Sequence, residues 1–179
     1  MRIIAGKRKG GKLFEVDSVA TRSTTDRVKE SVFNIIGPFF AGGVAVDFFA
    51  GSGSLCIEAL SRGIDFAYFF DEAALPIDVI NKNLKKFKLN EHTFVKQIDY
   101  QNALEYIDKK IDLIFLDPPY HKNLVSNSLK LIRQSNKINN ECVIVCEIEN
   151  SEMVNYEGFK LVDERVYGRV KIIILEMSI

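Results

Sequence analysis

Short apolar runs alternate along the chain with segments in which apolar side chains recur at helical intervals. A continuous apolar run bounded by turn residues is typical of a strand that is buried on both faces. Five such runs predict five strands: VAVDFF (44–49), FAYFFD (66–71), TFVKQI (93–98), IDLIFL (111–116) and CVIVCEI (142–148). Strands that alternate with helices predict a parallel, doubly wound α/β sheet with right-handed crossovers.

Helical spacing predicts the segments around these strands. A threonine cap begins the first helix and Gly37-Pro38 stops it, Gly63 ends the second, and Pro76 is tolerated in the first turn of the third. The predicted helices cover residues 24–36, 54–63, 76–87, 102–107 and about 123–134.

The chain closes with two further strands, FKLVDERVY (159–167) and VKIIILEM (170–177). Only Gly168 and Arg169 separate them, so a hairpin is expected. It completes a mostly parallel seven-stranded sheet with an antiparallel C-terminal strand. A boundary near GPFFAGG (37–43) divides the chain into a predicted N-terminal hairpin and helix extension, residues 1–40, and a sheet domain, residues 41–179.

The 179 residues are 47% hydrophobic, enough for one full core, and 24 basic residues balance 24 acidic ones. Net charge therefore indicates no partner, but its distribution does. Residues 1–12 carry five basic side chains and no acid, namely Arg2, Lys7, Arg8, Lys9 and Lys12. Such a basic arm can bind the phosphates of a nucleic acid, although a solvated terminus explains the same charges.

Cysteine and histidine spacing gives no metal motif. Cys56, Cys142 and Cys146 are scattered and indicate buried thiols in a reducing compartment, and His92 and His121 stand alone. We expect no metal. No run approaches the roughly 18 apolar residues of a membrane span, and the N-terminus lacks the apolar stretch of a signal peptide. A cytoplasmic monomer without a membrane partner is therefore expected.

A glycine-containing loop, DFFAGSGS (47–54), follows the first predicted strand. Glycines allow a tight turn and a close approach of backbone to ligand. A dinucleotide fingerprint would place a third glycine at position 56, and the presence of Cys56 there argues against a bound dinucleotide pyrophosphate. A plain strand-to-helix turn is the alternative for the loop alone. Its candidate ligand contacts are Asp47, Phe49, Gly51, Ser52 and Gly53.

Acids stand at the tips of three successive predicted strands: Asp47, Asp71 and Asp99. Asp71 can accept hydrogen bonds from both ribose hydroxyls, and Asp99 can accept one from the exocyclic amine of adenine. Each acid alone is more often a solvated loop residue or a helix cap. Together with the glycines they predict a site for an adenosine with a short charged tail, which S-adenosylmethionine fits better than NAD.

The fourth predicted strand ends in Asp117, Pro118, Pro119 and Tyr120. A strand-tip carboxylate and a carbonyl held by rigid prolines can grip both hydrogens of a planar amino group. This grip would aim the nitrogen lone pair at a methyl donor, and Tyr120 offers a ring on which a base can stack. These four residues are the predicted catalytic group, and a proline-rigid turn with a capping aspartate is the alternative.

The sequence resembles the bacterial family of 16S ribosomal RNA guanine-N2 methyltransferases, the RsmD family. The similarity covers nearly the whole chain. It includes MRIIAGKRKGGKL, TRSTTDRVKESVFNII, VDFFAGSGSLCIEALSRG, DPPY and YGRVKIIIL. The glycine loop and DPPY are shared by many amino-methyltransferases, so the two N-terminal segments identify the family.

This resemblance implies a Rossmann-like class I methyltransferase domain that uses S-adenosylmethionine to methylate a guanine of small-subunit RNA, within a 30S subunit or an assembly intermediate. It implies that Thr24 and Thr25 close over the methionine end of the cofactor, and it supports Lys7, Arg8 and Lys9 as RNA contacts. Arg22 is a further RNA-contacting candidate. Ser23 replaces a usual proline, Asp71 replaces a usual glutamate, and Pro76 is unusual in its helix.

Two alternatives remain at this point. An adenine-N6 methyltransferase acting on nucleic acid would use the same DPPY motif, because the motif grips any amino group. A non-catalytic nucleotide-binding protein or an NAD oxidoreductase could share the fold.

Overall fold

The computed structural model describes residues 1–17 and 25–178, and in it seven strands form one sheet. The strands are β1 (Val44–Asp47), β2 (Phe66–Asp71), β3 (Thr93–Gln97), β4 (Ile111–Leu116), β5 (Ile138–Glu149), β6 (Phe159–Tyr167) and β7 (Val170–Met177). The helices are α1 (Asp26–Ile36), α2 (Ser54–Ser61), α3 (Ala74–Phe87), α4 (Tyr100–Ala103) and α5 (Leu124–Gln134).

The sheet has the order β3-β2-β1-β4-β5-β7-β6. Strands β1 to β5 pair in parallel, and β7 runs antiparallel to both β5 and β6. The predicted mostly parallel sheet with an antiparallel C-terminal strand is therefore confirmed, and β7 lies one position in from the edge. The order in which strands are added to the sheet reverses between β1 and β4, and a crevice at the carboxyl ends of these strands is expected there.

Several predicted boundaries move by a few residues. Strand β1 ends two residues early because the amide of Phe49 turns back to the Asp47 carboxylate, with Oδ1 3.0 Å from the nitrogen. Strand β5 begins at Ile138, four residues before the predicted start. The predicted helix over 102–107 is wrong in its bounds, because α4 spans Tyr100–Ala103 and a 3₁₀ turn follows it.

Two apolar layers enclose the sheet. One contains side chains of α1, α2 and α3, such as Val28, Leu55 and Ile80, and the other contains side chains of α4 and α5. Along β1, Ala45 belongs to the first layer and Val46 to the second. Burial on both faces explains why the central strands are almost uninterrupted apolar runs.

The N-terminal residues form a hairpin with a single antiparallel bridge between Arg2 and Lys12. Ile3 and Leu13 are buried in the same layer as Phe33 of α1. The predicted division into residues 1–40 and 41–179 stays a prediction, and residues on both sides of it share this layer. Among the helices of the described ranges, none is both long enough and apolar enough to cross a membrane.

Candidate functional site

The carboxyl ends of β2, β1 and β4 meet at one edge of the sheet. Just past β1, the amide of Ala50 donates to the carbonyl of Phe70 at 2.8 Å, and the amide of Phe48 donates to the carbonyl of Phe115 at 3.4 Å. The glycine loop and the DPPY segment therefore leave neighbouring strands at the same edge.

The two glycines of the loop serve different purposes. Gly51 has φ +55°, and a Cβ added there would meet no heavy atom of the described residues within 4 Å. Gly53 has φ +81°, and an added Cβ would lie 3.1 Å from the ring of Phe69 and 3.3 Å from Ile80. Gly53 thus lets the loop lie on the sheet, while the open space beside Gly51 allows a ligand to approach the backbone.

Asp71 holds the loop from the tip of β2. Its Oδ2 accepts from the amide of Gly51 at 3.1 Å, and its Oδ1 accepts from the amide of Ala73 at 3.0 Å. Burial raises the pKa of Asp71 and the two amides act against that rise. Because each carboxylate oxygen has a second lone pair, Asp71 can position the loop and still accept from a ribose hydroxyl.

Asp47 lies deeper, with 2% of its surface exposed. Burial raises its pKa to about 7, and the negative charges of Asp71 and Glu147 add to the rise, while the amide of Phe49 opposes it. Acidic groups are therefore crowded at the carboxyl ends of the strands, which favours a ligand carrying positive charge.

Asp99 follows β3 and caps α4. Its Oδ1 accepts from the amides of Gln101 at 2.9 Å and Asn102 at 3.2 Å. The ring of Phe49 lies 5.3 Å from that of Tyr100, so the glycine loop contacts the start of α4. The structure thus brings Asp99 to the same edge, in the helix-capping role that the sequence had left open as an alternative.

Thr25 also has a capping role, because its Oγ1 accepts from the amide of Val28 at 3.3 Å at the start of α1. Thr24 and Arg22, two of the predicted contacts, lie outside the described residues. Their predicted roles, like those of the other site residues, stay predictions.

The three strand-tip acids of β1, β2 and β3 share one local geometry. Each accepts a hydrogen bond from the amide two residues further along the chain. The three contacts are Asp47 Oδ1 to Phe49 N at 3.0 Å, Asp71 Oδ1 to Ala73 N at 3.0 Å and Asp99 Oδ1 to Gln101 N at 2.9 Å. This is an Asx turn, which fixes the carboxylate against its own loop.

Asp117 follows β4 at the corresponding place but cannot make that turn. The residue two positions on is Pro119, and proline has no amide hydrogen to donate. Asp117 and Tyr120 are half-buried, Pro118 is buried and Pro119 is exposed. The double proline therefore excludes, at the tip of β4, the turn that fixes the other three aspartates against their loops.

The DPPY segment continues over the end of β5. His121, with φ +63°, donates its amide to the carboxylate of Glu152, and its Nε2 contacts the carboxylate of Glu149. His121 is exposed, and it also ties the loop to β5.

Sequence reasoning missed Glu147, a buried acid near the end of β5. The signal was available, because this glutamate interrupts the otherwise apolar run CVIVCEI. Within residues 1–17 and 25–178, histidine, cysteine and acidic side chains form no group that could hold a metal ion.

A buried charge network, also missed, fixes the N-terminal hairpin. Glu58 of α2 accepts from the amides of Ile4 at 2.9 Å and Ala5 at 3.0 Å and from Arg62 Nε at 2.8 Å. Lys29 Nζ lies 3.4 Å from Glu58. Burial lowers the pKa of Lys29, and Glu58 counteracts this shift. Glu58 pairs with both Lys29 and Arg62, so no charge of this network is buried without a partner.

Asn83 links the hairpin to the glycine loop. Its Oδ1 accepts from the amide of Phe14 at 2.8 Å, and its Nδ2 donates to the carbonyls of Phe14 and Ser52, each at 3.0 Å. Asn83 is fully buried. The hairpin and the glycine loop are therefore joined by one side chain.

The basic residues of the hairpin are not equivalent. Lys7, Lys9 and Lys12 are exposed, whereas Arg8 is half-buried and donates its Nε to the carbonyl of Phe87 at 2.9 Å. Arg2 is exposed and pairs with Asp26 at 3.4 Å. The three lysines are the charges best placed to meet a large anionic partner.

The parallel sheet, the glycine loop at the tip of β1 and DPPY at the tip of β4 define a Rossmann-like methyltransferase of class I. The solved structure of yhhF from Escherichia coli superposes with a TM-score of 0.86 and 29% identity, over 99% of this chain and 98% of that one.

The chain belongs to the family described as conserved hypothetical protein 95, the RsmD family, whose model matches residues 1–176. It is 43% identical to YlbH of Bacillus subtilis over 150 residues, which are 82% of each chain. It is 33% identical to ribosomal RNA small subunit methyltransferase D of Haemophilus influenzae over 176 residues, covering 95% of this chain and 90% of that protein.

Proposed function

We propose that this protein transfers a methyl group from S-adenosylmethionine to the exocyclic N2 amine of a guanine in 16S ribosomal RNA. The observation that carries the proposal is the placement of Asp117 and its prolines beside the glycine loop, on neighbouring strands β4 and β1. The name of the Haemophilus influenzae relative supports small-subunit ribosomal RNA as the substrate.

The residues at the tips of β1 to β3 suit this cofactor. The open surface at Gly51 accommodates a ligand beside the loop backbone. Asp71 and Asp99 offer acceptors for a ribose and an adenine amine, and the crowded acids around Asp47 favour a cationic ligand. S-Adenosylmethionine supplies a methyl group activated by a positively charged sulfur.

Asp117 and the carbonyl of Pro118 hold the two hydrogens of the target amine. This orientation favours a pyramidal nitrogen whose lone pair points at the methyl carbon. When bound, S-adenosylmethionine would supply the methyl group to this nitrogen and keep the electron pair of the broken C–S bond on its sulfur, and Asp117 would be the first acceptor of the amine proton that leaves. Orientation of this kind can contribute on the order of 7–11 kcal/mol.

Tyr120 provides the stacking surface for the target base. A base stacked on an aromatic ring is held by roughly 1–3 kcal/mol. The ring follows the rigid double proline and is half-buried, so its position is defined before the base arrives.

The N-terminal hairpin supplies RNA contacts through Lys7, Lys9 and Lys12, with Arg2, Arg8 and Arg22 as further candidates. Its attachment through Glu58 and Asn83 holds these charges at a fixed distance from the cofactor loop. We propose that the protein acts as a monomer on a 30S subunit or an assembly intermediate.

The test is incubation of the protein with labelled S-adenosylmethionine and small subunits from cells that lack this methyltransferase, followed by nucleoside analysis of the RNA. N2-methylguanosine is the expected product. Labelled N6-methyladenosine would instead support the adenine-directed alternative, and absence of transfer with intact cofactor binding would support a non-catalytic nucleotide-binding protein.

A further inference from the structure

Glu147 is a buried acid near the carboxyl end of β5. Only 6% of its surface is exposed. Its neighbours Cys146 and Ile148 both belong to the apolar layer of α4 and α5. Because side chains alternate along a strand, Glu147 faces the opposite layer, which contains α1 and α2.

Asp117 comes directly after β4, and the strand register extended by one residue places it beside Glu147 on the same face of the sheet. The parallel register of β4 and β5 pairs Leu116 with Cys146, so the next residues on the two strands, Asp117 and Glu147, are neighbours. Phe115 belongs to the layer of α1 and α2, and Leu116 to the other layer, which places Asp117 on the side of Phe115.

Two further observations place Glu147 close to the reacting groups. Its charge contributes to the raised pKa of Asp47, so it acts across the tips of β1 and β4. Glu149, two residues further along β5, contacts His121, so the DPPY segment passes over this end of the strand. A base held by Asp117 and stacked on Tyr120 would meet the carboxylate of Glu147.

We infer that Glu147 is a specificity-determining residue, which accepts a hydrogen bond from N1–H of the target guanine while Asp117 and Pro118 hold its 2-amino group. This inference rests on the proposed function. The edge of guanine presents N1–H and the 2-amino group as adjacent donors, which suits two neighbouring acceptors. The corresponding edge of adenine presents its 6-amino group next to an N1 lone pair, which an acceptor repels.

This arrangement supplies the discrimination between guanine and adenine that the DPPY motif lacks. Asp117 and Pro118 grip the amino group of either purine. An ionised carboxyl group is acceptor-only, so a neighbouring glutamate adds a contact that guanine satisfies and adenine leaves unpaired.

The test replaces the target guanine by 2-aminopurine, which keeps the 2-amino group but has a lone pair at N1. The target nucleotide is first mapped with the unmodified subunit, and RNA carrying the single substitution is prepared by splint ligation and reassembled with ribosomal proteins. For the wild-type protein, kcat/KM should fall on the order of 100-fold from guanine to 2-aminopurine. The reason is that the buried carboxylate of Glu147 then faces the N1 lone pair of 2-aminopurine in place of an N1–H donor.

Glu147→Gln should narrow this preference to about fivefold or less, because a side-chain amide can turn its NH₂ toward N1 of 2-aminopurine. Cofactor affinity should stay within a few-fold of wild type, because Glu147 acts on the cofactor only through the charge around Asp47. Glu141→Gln makes the same substitution at an exposed position on the same strand and should retain the wild-type preference.

A wild-type protein that methylates guanine and 2-aminopurine equally would overturn the inference, even if Glu147→Gln failed to fold. So would a folded Glu147→Gln variant with an undiminished preference, which would make Glu147 a purely structural residue. Both results leave N2-methylguanosine as the product. A wild-type product of N6-methyladenosine would remove the proposed function itself, and this inference with it.

Discussion

The carboxyl edge of the sheet has two halves that hold their acids in opposite ways. At the tips of β1, β2 and β3, which we call the cofactor half, each aspartate accepts from the amide two residues on and is fixed against its own loop. At the tips of β4 and β5, which we call the base half, Pro119 removes that amide from the reach of Asp117.

This difference explains why the motif contains two prolines. Asp-Pro would already stiffen the turn through the fixed φ of one ring. Without the second proline, Asp117 could make the same Asx turn as Asp47, Asp71 and Asp99. A carboxylate that binds a small ligand at fixed geometry benefits from the turn, whereas one that must meet an incoming amine should be kept out of it.

The largest effect should come from Asp117→Ala. Removing the acceptor that orients the amine should lower the rate of methyl transfer on the order of 10²–10³-fold, as loss of one well-placed polar group in an active site does. Because Asp117 belongs to the base half, calorimetry should find the affinity for S-adenosylmethionine within a few-fold of wild type. A comparable loss of cofactor affinity would show that the two halves are not separate.

Asp47→Asn should change how stability depends on pH. The pKa of Asp47 is raised in the folded state from 3.8 to about 7. The folded state therefore binds this proton more tightly than the unfolded chain, and the contribution of Asp47 to stability is lost as pH rises from about 4 to about 7. A shift of this size corresponds to about 4 kcal/mol.

The measurement is urea unfolding of wild type and Asp47→Asn at pH 4.5 and pH 8, without cofactor. Asparagine can still accept from the amide of Phe49, so the Asx turn is preserved. Relative to the variant, the wild-type protein should be less stable at pH 8 than at pH 4.5. If the difference between the two proteins does not vary with pH, Asp47 is not held as an unfavourable buried charge.

Two substitutions of Tyr120 distinguish stacking by its ring from a chemical role of its hydroxyl group in the base half. Tyr120→Ala should lower kcat/KM by about 10- to 100-fold, corresponding to the roughly 1–3 kcal/mol of a stacked base. Tyr120→Phe keeps the ring and should retain most activity. Equal losses in the two variants, measured by methyl transfer to subunits, would assign an essential role to the hydroxyl.

Pro119→Ala is the direct test of the Asx-turn comparison. It restores an amide two residues after Asp117, so the carboxylate can turn back on its loop. Transfer should fall about fivefold, because one hydrogen bond contributes about 1 kcal/mol and competes with the amine. The affinity for S-adenosylmethionine should not change. An unchanged rate of transfer would mean that Pro119 acts only by stiffening the chain.

The exposed lysines of the hairpin lie outside both halves, and their removal should change neither cofactor binding nor the contacts of the target base. Replacing Lys7, Lys9 and Lys12 by alanine should flatten the slope of log affinity for RNA against log salt by about two units, at about 0.7 per phosphate contact. Arg8 is left in place because it anchors the hairpin at Phe87.

A matched variant removes three exposed lysines from elsewhere on the surface, Lys109, Lys130 and Lys160. Its salt slope should equal that of wild type. If both triple variants give the same slope, the hairpin is an ordinary solvated terminus, and the RNA-contacting surface must be sought elsewhere.

The sequence predicted the fold well because buried parallel strands are uninterrupted apolar runs. Strands β2, β4, β6 and β7 begin and end where the pattern placed them. The strand-tip acids were also visible, since the carboxyl ends of parallel strands must meet at one edge.

The contacts that join distant segments could not be predicted. Glu58 meets Ala5 across 53 residues, and Asn83 meets Phe14 across 69. In the sequence, Glu58 and Asn83 are ordinary polar residues of helical segments, and only the packed hairpin turns them into buried partners. The shared Asx turn was hidden for a related reason, because it depends on backbone angles that a strand tip adopts only in the sheet.

The most direct test of the two-half account is a crystal structure with S-adenosylhomocysteine, the demethylated product. The account predicts the adenosine at the tips of β2 and β3, between Asp71 and Asp99, with its amino-acid tail on the backbone of Gly51 and its sulfur facing Asp117. Adenosine stacked on Tyr120 at the tips of β4 and β5, with no contact to the glycine loop, would contradict it.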